Sequence, residues 1–335
     1  MSLNLSTSHS RVGDHSNEFT STGPLLAFLG PAGTYSHQAA HDRFAESVHY
    51  QPRNTISDVF DSVGTSAQLG LLPQENSIFG SVMETYDTLR SSDVGKSKWI
   101  RGTATLSIEH CLVVRQGKTM RDIKTVLSHE QGLGQCRRFL ATHLPTARLV
   151  SVASTAAAAE VVSTQADDVA DGAAICSKIC LRLFANLEML REGIQDEHDN
   201  FTRFYVLAND ASSPLPNAWH DGSGERNALI RLEALPESES QSSSPPTISG
   251  LLAALGLPAA RIDRRPSTTV SRERFRSVYF VEVVDVMRSD GSRPSSQHSA
   301  KVGRSASLSP WKERVVAAVA RAVESGGRAD LLGTW

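Results

Sequence analysis

Apolar and polar residues follow one another in short blocks, and the period of the blocks predicts the elements. The run at 25–29 is apolar throughout and predicts a buried strand. It stops at the turn-formers Gly30-Pro31-Ala32-Gly33, after which Thr34 or Ser36 can cap a helix carrying Ala39, Ala40 and Phe44. The order then repeats. Apolar runs at 67–72, 111–114, 125–127, 173–175 and 204–207 predict strands, and 130–142, 153–162 and 177–185 predict helices. Strands alternating with helices argue for an α/β fold with helices on both faces of its sheets.

The pattern changes after Asn209. Ser, Pro, Gly and Asp crowd residues 211–225, which reads as a linker between a first region at 23–210 and a second at 226–335. In the second, strands are predicted at 226–235, 261–264, 278–286 and 331–335. Helices are predicted at 248–256 and 311–324, the latter with Val315, Val316, Val319 and Val323 on one face. That is the βαββαβ, ferredoxin-like order. Low-complexity stretches at 236–246 and 288–309 interrupt it as solvated insertions. Residues 1–22 are polar and Ser/Thr-rich. They read as a disordered leader without the apolar core of a secretory signal.

Composition narrows the function. A chain of 335 residues can bury a sizeable core in about two domains. Thirty-four basic against 36 acidic side chains give a net charge of −2, which argues against a nucleic-acid binder. No run approaches the ~18 apolar residues of a membrane span, so no membrane partner is expected. Cys111, Cys136, Cys176 and Cys180 form no C-x-x-C pair and read as reduced, buried thiols of a cytoplasmic protein. No metal-ligand spacing is present, and neither a metal nor an organic cofactor is expected.

Polar residues cluster where apolar runs end. The Gly30–Ser36 turn places free backbone N–H groups at a helix start, which suits an anion or simply a capped turn. Gln74-Glu75-Asn76-Ser77 stands at the end of a strand, the usual ligand side of an α/β sheet. Ser128-His129-Glu130-Gln131, with Gln135, has the same placement, and Ser128 is equally a helix cap. Asn200-Phe201-Thr202-Arg203-Phe204 opens the last strand of the first region. There Arg203 can hold a carboxylate, and Thr202 can be no more than a β-former.

Taken together these segments resemble the prephenate dehydratase family. LAFLGPAGTYSHQAA at 26–40, LLPQENSIFGSV at 71–82, VLSHEQGLGQCRRFL at 126–140, STAAAAEVV at 154–162 and IQDEHDNFTRFYVL at 194–207 are similar to its motifs, in its order. The second region resembles the ACT regulatory domain appended to these enzymes. Gly250-Leu251-Leu252-Ala253 matches that domain's Gly-Ala-Leu-Val loop, and Asp263-Arg264-Arg265-Pro266 its Glu-Ser-Arg-Pro segment.

The resemblance implies two α/β subdomains like a type II periplasmic binding protein, with the active site between them. It implies conversion of prephenate to phenylpyruvate, carbon dioxide and water. Thr202 would be the functional threonine. Asn76, Ser128 and Gln135 would line the cleft, with Glu75, Ser77 and Glu160 nearby. Arg203, Thr34, Ser154, Thr155 and the backbone around 32–36 and 154–156 would meet the substrate's carboxylates. The second region would bind phenylalanine between Gly250, Leu251 and Leu252 of one chain and Asp263, Arg264, Arg265 and Pro266 of a neighbouring chain. It would also govern regulation and assembly as a homodimer or homotetramer, leaving catalysis to residues 1–210. Arogenate dehydratase, a bilobed solute-binding protein and a catalytically dead amino-acid sensor are the alternative readings.

Overall fold

Strand and helix alternate along the chain and build two sheets with a gap between them. The computed structural model describes residues 23–164, 171–216, 226–235, 246–269, 275–286 and 309–335. The expected leader, most of the expected linker and nearly all of both insertions lie outside the described residues.

The first lobe runs through β1 (Leu25–Leu29), α1 (Tyr35–Phe44), β2 (His49–Arg53), α2 (Ile56–Ser62), β3 (Leu69–Asn76), β4 (Gly80–Ser81), α3 (Met83–Thr88) and β5 (Trp99–Ser107). The second lobe holds β6 (Cys111–Arg115), β7 (Thr125–Ser128), α4 (Glu130–Gln135), α5 (Arg137–His143), β8 (Arg148–Ser151), α6 (Thr155–Ser163), β9 (Gly172–Cys176), α7 (Cys180–Leu183) and β10 (Leu187–Arg191). β11 (Phe201–Ala208) returns to the first lobe. The C-terminal region follows as β12 (Asn227–Ala234), α8 (Ile248–Leu255), β13 (Ala259–Pro266), β14 (Ser277–Val284), α9 (Pro310–Glu324) and β15 (Gly327–Thr334).

Local chemistry sets these boundaries. Thr34 caps α1, Thr55 and Asp58 form a reciprocal capping box on α2, and Ser154 caps α6. The helix expected at 130–142 is two helices. The chain turns at buried Cys136, and the Asp196 carboxylate accepts the Arg138 N–H at 3.1 Å, capping the second one. The helix expected at 177–185 shrinks to α7. On α9 the buried stripe is Trp311, Val315, Ala318 and Ala322, while Val316 and Val323 are exposed. The four valines therefore do not share the core face, because alanines and Trp311 centre the stripe elsewhere. All four cysteines are free and buried, as expected.

In the first lobe β2, β1 and β3 are parallel, and β11 pairs antiparallel with both β3 and β5. The second lobe is a separate five-stranded sheet in the order β10-β6-β9-β7-β8. The chain crosses between lobes twice, after β5 and before β11. This is the expected two-lobed, type II arrangement.

The C-terminal sheet runs β13-β14-β12-β15, with Leu251, Leu255, Val315 and Ala318 packing the two helices on one face. Its other face is not free. Leu229, Val278, Phe280 and Leu332 share a core with Tyr86, Leu89, Ile100 and Tyr205 of the first lobe. A parallel bridge from Gly333 to Ile100 joins the sheets. A Cβ at Gly333 would run into the Ile100 backbone, so only glycine permits the join.

Candidate active site

Strands β1 and β3 of the first lobe and β7 and β8 of the second end at the gap between the lobes, the side where α/β sheets take ligands. The gap is a cleft of about 450 Å3. Thr34, Asn76 and Thr202 line it from the first lobe, and Gln135, Ser154 and Thr155 from the second.

Asn76 and Thr202 are register partners on β3 and β11. The Asn76 amide can be oriented from its neighbours. Its Oδ1 accepts the N–H groups of Ile78 and Phe79 at 3.0 and 3.1 Å, and a backbone N–H can only donate. Nδ2 therefore faces the other way, donating to Asn200 Oδ1 at 2.7 Å and to Thr202 Oγ1 at 3.0 Å. The Thr202 oxygen is thus an acceptor toward Asn76. Its own proton has no acceptor among the described residues and is left for the cleft.

Two helix N-termini face each other across the gap. Thr34 Oγ1 donates to Leu29 O at 2.9 Å and accepts the His37 N–H, while Ser154 Oγ accepts the Ala157 N–H at 3.0 Å. The remaining first-turn N–H groups of α1 and α6 have no intrahelical partner, and each helix dipole adds partial positive charge there. Among the described residues lining the cleft there is no Lys, Arg, Asp or Glu. The polar groups the cleft offers are N–H groups, hydroxyls, amides and neutral imidazole.

A second chain of polar groups crosses the cleft. Tyr35 hydroxyl bonds His110 Nδ1, and His110 Nε2 bonds Gln135 Oε1 at 2.5 Å. With the Gln135 amide placed oxygen toward the ring, Nε2 carries the imidazole proton and Tyr35 donates to Nδ1. Burial lowers the His110 pKa, with the Gln135 bond opposing, and burial raises that of Tyr35. The chain of groups is neutral at pH 7.

The lobes also touch directly. Ser177 Oγ donates to Gly33 O at 2.6 Å, and the Ile179 N–H donates to Gln38 Oε1 at 2.6 Å. Gly33 has φ +93°, and a Cβ there would press on Ala156 and Cys180. Beneath it His37 accepts the Gly33 N–H at 3.1 Å and stacks on Phe28; burial, reinforced by His41, lowers its pKa to about 4.

Several expected residues are elsewhere. Glu75 and Arg203 are strand neighbours of Asn76 and Thr202, so alternation turns them to the opposite face of the sheet, where they pair at 3.3 Å. Ser128 is fully buried and donates to Ile175 O at 2.7 Å, while His129 caps α4. Ser77 Oγ holds the loop, accepting the Phe201 N–H and donating to Asp199 O. Glu160 lies on the exposed side of α6.

Within one chain the two groups of expected effector residues lie apart, as a site shared between neighbouring chains requires. Leu251 is core, Asp263 bonds Ser81, Arg265 bonds Asp87, Arg264 bonds Ser277, and Pro266 O accepts from Arg90. Gly250 and Leu252 lie on α8, across the sheet from that contact. Alternation along β13 divides them between its two faces. The residues missed were His110, Tyr35 and Asn200. Tyr35 and Asn200 stand inside quoted motifs, but His110 sits in a crossing segment with no pattern around it.

Two α/β lobes meeting at a cleft lined by neutral hydrogen-bonding groups define a bilobed α/β protein with a site between its lobes. Residues 26–212, more than half of the chain, match the family model of prephenate dehydratase, and the chain belongs to that family. It is 38% identical over 190 residues to a bifunctional chorismate mutase/prephenate dehydratase of Aquifex aeolicus, covering 56% of this chain and 50% of that one. It is 35% identical over 205 residues to arogenate dehydratase 2 of Petunia hybrida, covering 60% and 49%. The chain thus spans about half the length of these relatives. The crystal structure of prephenate dehydratase from Arthrobacter aurescens in complex with L-Phe superposes with TM-score 0.65 at 24% identity, over 92% of this chain and 89% of that one, and shares the fold.

Proposed function

We propose that the protein is a prephenate dehydratase, a carbon–oxygen lyase that makes phenylpyruvate. The observation that carries this reading is the orientation of Thr202, whose hydroxyl is pinned by Asn76 with its proton toward the cleft. Prephenate is a dianion with a ring hydroxyl. When the ring carboxylate leaves as CO2, its bonding electrons aromatise the ring and the hydroxyl departs with its own pair. That oxygen needs a hydrogen-bond donor as charge builds on it, and a proton to leave as water. A threonine hydroxyl is too weak an acid to be ionised near pH 7. Thr202 therefore donates a hydrogen bond, and the proton comes from water or another group by relay. Such positioned donation contributes about 10²–10⁴-fold. The helix N-termini at Tyr35 and Thr155 take the two carboxylates from opposite lobes.

The Petunia relative makes arogenate the second substrate to test. Arogenate carries an ammonium where prephenate has a keto group, and the absence of Asp and Glu from the described cleft lining supports the keto acid. Incubation of the purified protein with each compound, with both aromatic products measured, is the test. Phenylpyruvate is expected; turnover of arogenate alone would reject prephenate as substrate, and no turnover would reject the enzyme reading. The Arthrobacter structure is a complex with L-Phe, which supports phenylalanine as a ligand of this chain as well. The same assay with added phenylalanine is expected to show lower turnover.

A further inference from the structure

We infer that Arg261 and Asp263, two residues of the C-terminal region, are positioning residues for the cleft, clamping the base of the hairpin that carries Asn76. β3 and β4 form that hairpin, with Glu75 opposite Ser81 and Asn76 opposite Gly80. Its tip delivers Asn76 and Phe79 to the cleft.

Both stems are held from β13. The Arg261 guanidinium pairs with the Glu75 carboxylate on one stem and donates to Ser81 Oγ on the other at 2.8 Å. Ser81 in turn donates to Asp263 Oδ1 at 2.7 Å, and Arg261 Nε meets Asp263 Oδ2 at 2.5 Å. Four polar side chains thus join the two stems to β13. Arg203, next to Thr202, pairs with the other Glu75 oxygen and links the cluster to β11. The Arg261 and Asp263 side chains are only 17% and 12% exposed, so water competes little for these bonds.

The clamp does not rest on a mobile arm. Arg265 holds Asp87 of α3 with two bonds of 2.7 Å, and Arg90 donates to Pro266 O at 3.0 Å, fixing β13 beyond the cluster. Asn76 orients the Thr202 hydroxyl, so a shift of the hairpin reaches the reacting oxygen. A misplacement of about 1 Å can cost about 10²-fold in rate.

The test uses the full chain and two independent readouts, of which only the kinetic one rests on the proposed function. Hydrogen exchange of the 74–83 segment is compared in wild type, Arg261→Met, Arg261→Lys and Ser81→Ala. Arg261→Met and Ser81→Ala are expected to speed exchange at Ile78, Phe79 and Val82 by about tenfold or more while β14 exchanges as before. With prephenate, kcat is expected to fall about tenfold with KM moving less than about threefold, and Arg261→Lys to recover much of the loss. Ser81→Ala leaves no charge unpaired, so it decides the matter should Arg261→Met not fold. Unchanged exchange in the hairpin would overturn the clamp. Faster exchange with unchanged kcat would overturn its positioning role. A wild type inert toward prephenate would reject the substrate, and the exchange arm would still decide the clamp.

Discussion

At the scale of the residue, the direction of single hydrogen bonds carries the chemistry. Thr202→Ala is expected to lower kcat by about 10²-fold or more, and Thr202→Ser to keep most activity because it keeps the donor. Asn76→Asp is the sharper probe. It replaces the Nδ2 donor with an oxygen that draws the Thr202 proton away from the cleft. It should cost about tenfold or more in kcat and also lower Tm, because the new oxygen faces the acceptors Asn200 Oδ1 and Phe201 O; an Asn76→Asp enzyme at wild-type rate would remove that orientation from the mechanism. Two histidines set the acid behaviour. Both have pKa values lowered by burial, His37 to about 4. Well above pH 6.5 neither the folded nor the unfolded chain binds a proton at either site. As pH falls below 6.5 the unfolded chain takes up protons the folded one refuses, so stability declines. Each group contributes at most about 1.4 kcal/mol per pH unit. Calorimetry between pH 7 and pH 4.5 should show Tm dropping, with a shallower drop in His37→Gln, whose amide oxygen can still accept the Gly33 N–H. Protonation of His110 removes the acceptor that Tyr35 uses. kcat/KM should therefore hold level down through pH 6.5 and fall only as the pH drops through the lowered pKa of His110.

At the scale of the element, Gly33 is the tightest fit between the lobes. Gly33→Ala combines a positive φ, which costs about 1–3 kcal/mol in a non-glycine residue, with a Cβ pressed against Ala156 and Cys180. Relief comes from parting the lobes. KM should rise about tenfold or more, and small-angle scattering should show a larger radius; an unchanged KM would mean the turn adapts locally. Solid apolar runs make β1, β6, β7 and β9 legible in the sequence. β5 is not legible there, although it joins β11 to the C-terminal sheet. Its buried residues are Ile100, Gly102, Ala104 and Leu106, but a bulge opposite Val206 and Leu207 sends Ile100 to one core and Ala104 and Leu106 to the other, and Gly and Ala further blur a period of two. The half-buried strands β2, β8 and β10 are hidden for a similar reason. Of the site, Asn76 and the two helix caps are readable from strand ends and capping residues, whereas the roles of Thr202 and Gln135 come only from the family resemblance. Arg203 and Glu75 are misplaced by that reading although the sequence holds the answer. Adjacent residues on a strand face opposite ways, so neither can share the cleft with its neighbour. His110 is out of reach, because only the crossing of two distant segments brings it between Tyr35 and Gln135.

At the scale of the whole molecule, the compositional break at 210 suggests two separable parts, and the packing predicts otherwise. Gln74 is fully buried and its amide bonds Tyr205 at 2.7 Å and Glu282 of β14 at 3.3 Å. Removing residues after 210 uncovers Tyr86, Ile100 and Tyr205 together. Each large side chain costs about 1.5–3 kcal/mol to expose. The truncated chain should aggregate or melt well below the full one, and a truncated chain with the full chain's Tm and rate would show the shared core to be dispensable. The same union settles which part can swing. The first lobe and the C-terminal region share one sheet, so any opening of the cleft would have to move the second lobe about its two crossing segments. His110 lies on that axis, tied across it by its N–H to Gln195 at 2.9 Å. Its ring reaches one lobe through Tyr35 and the other through Gln135. Any parting of the lobes would break one of those two bonds, so the three-residue wire is complete only in the arrangement seen here.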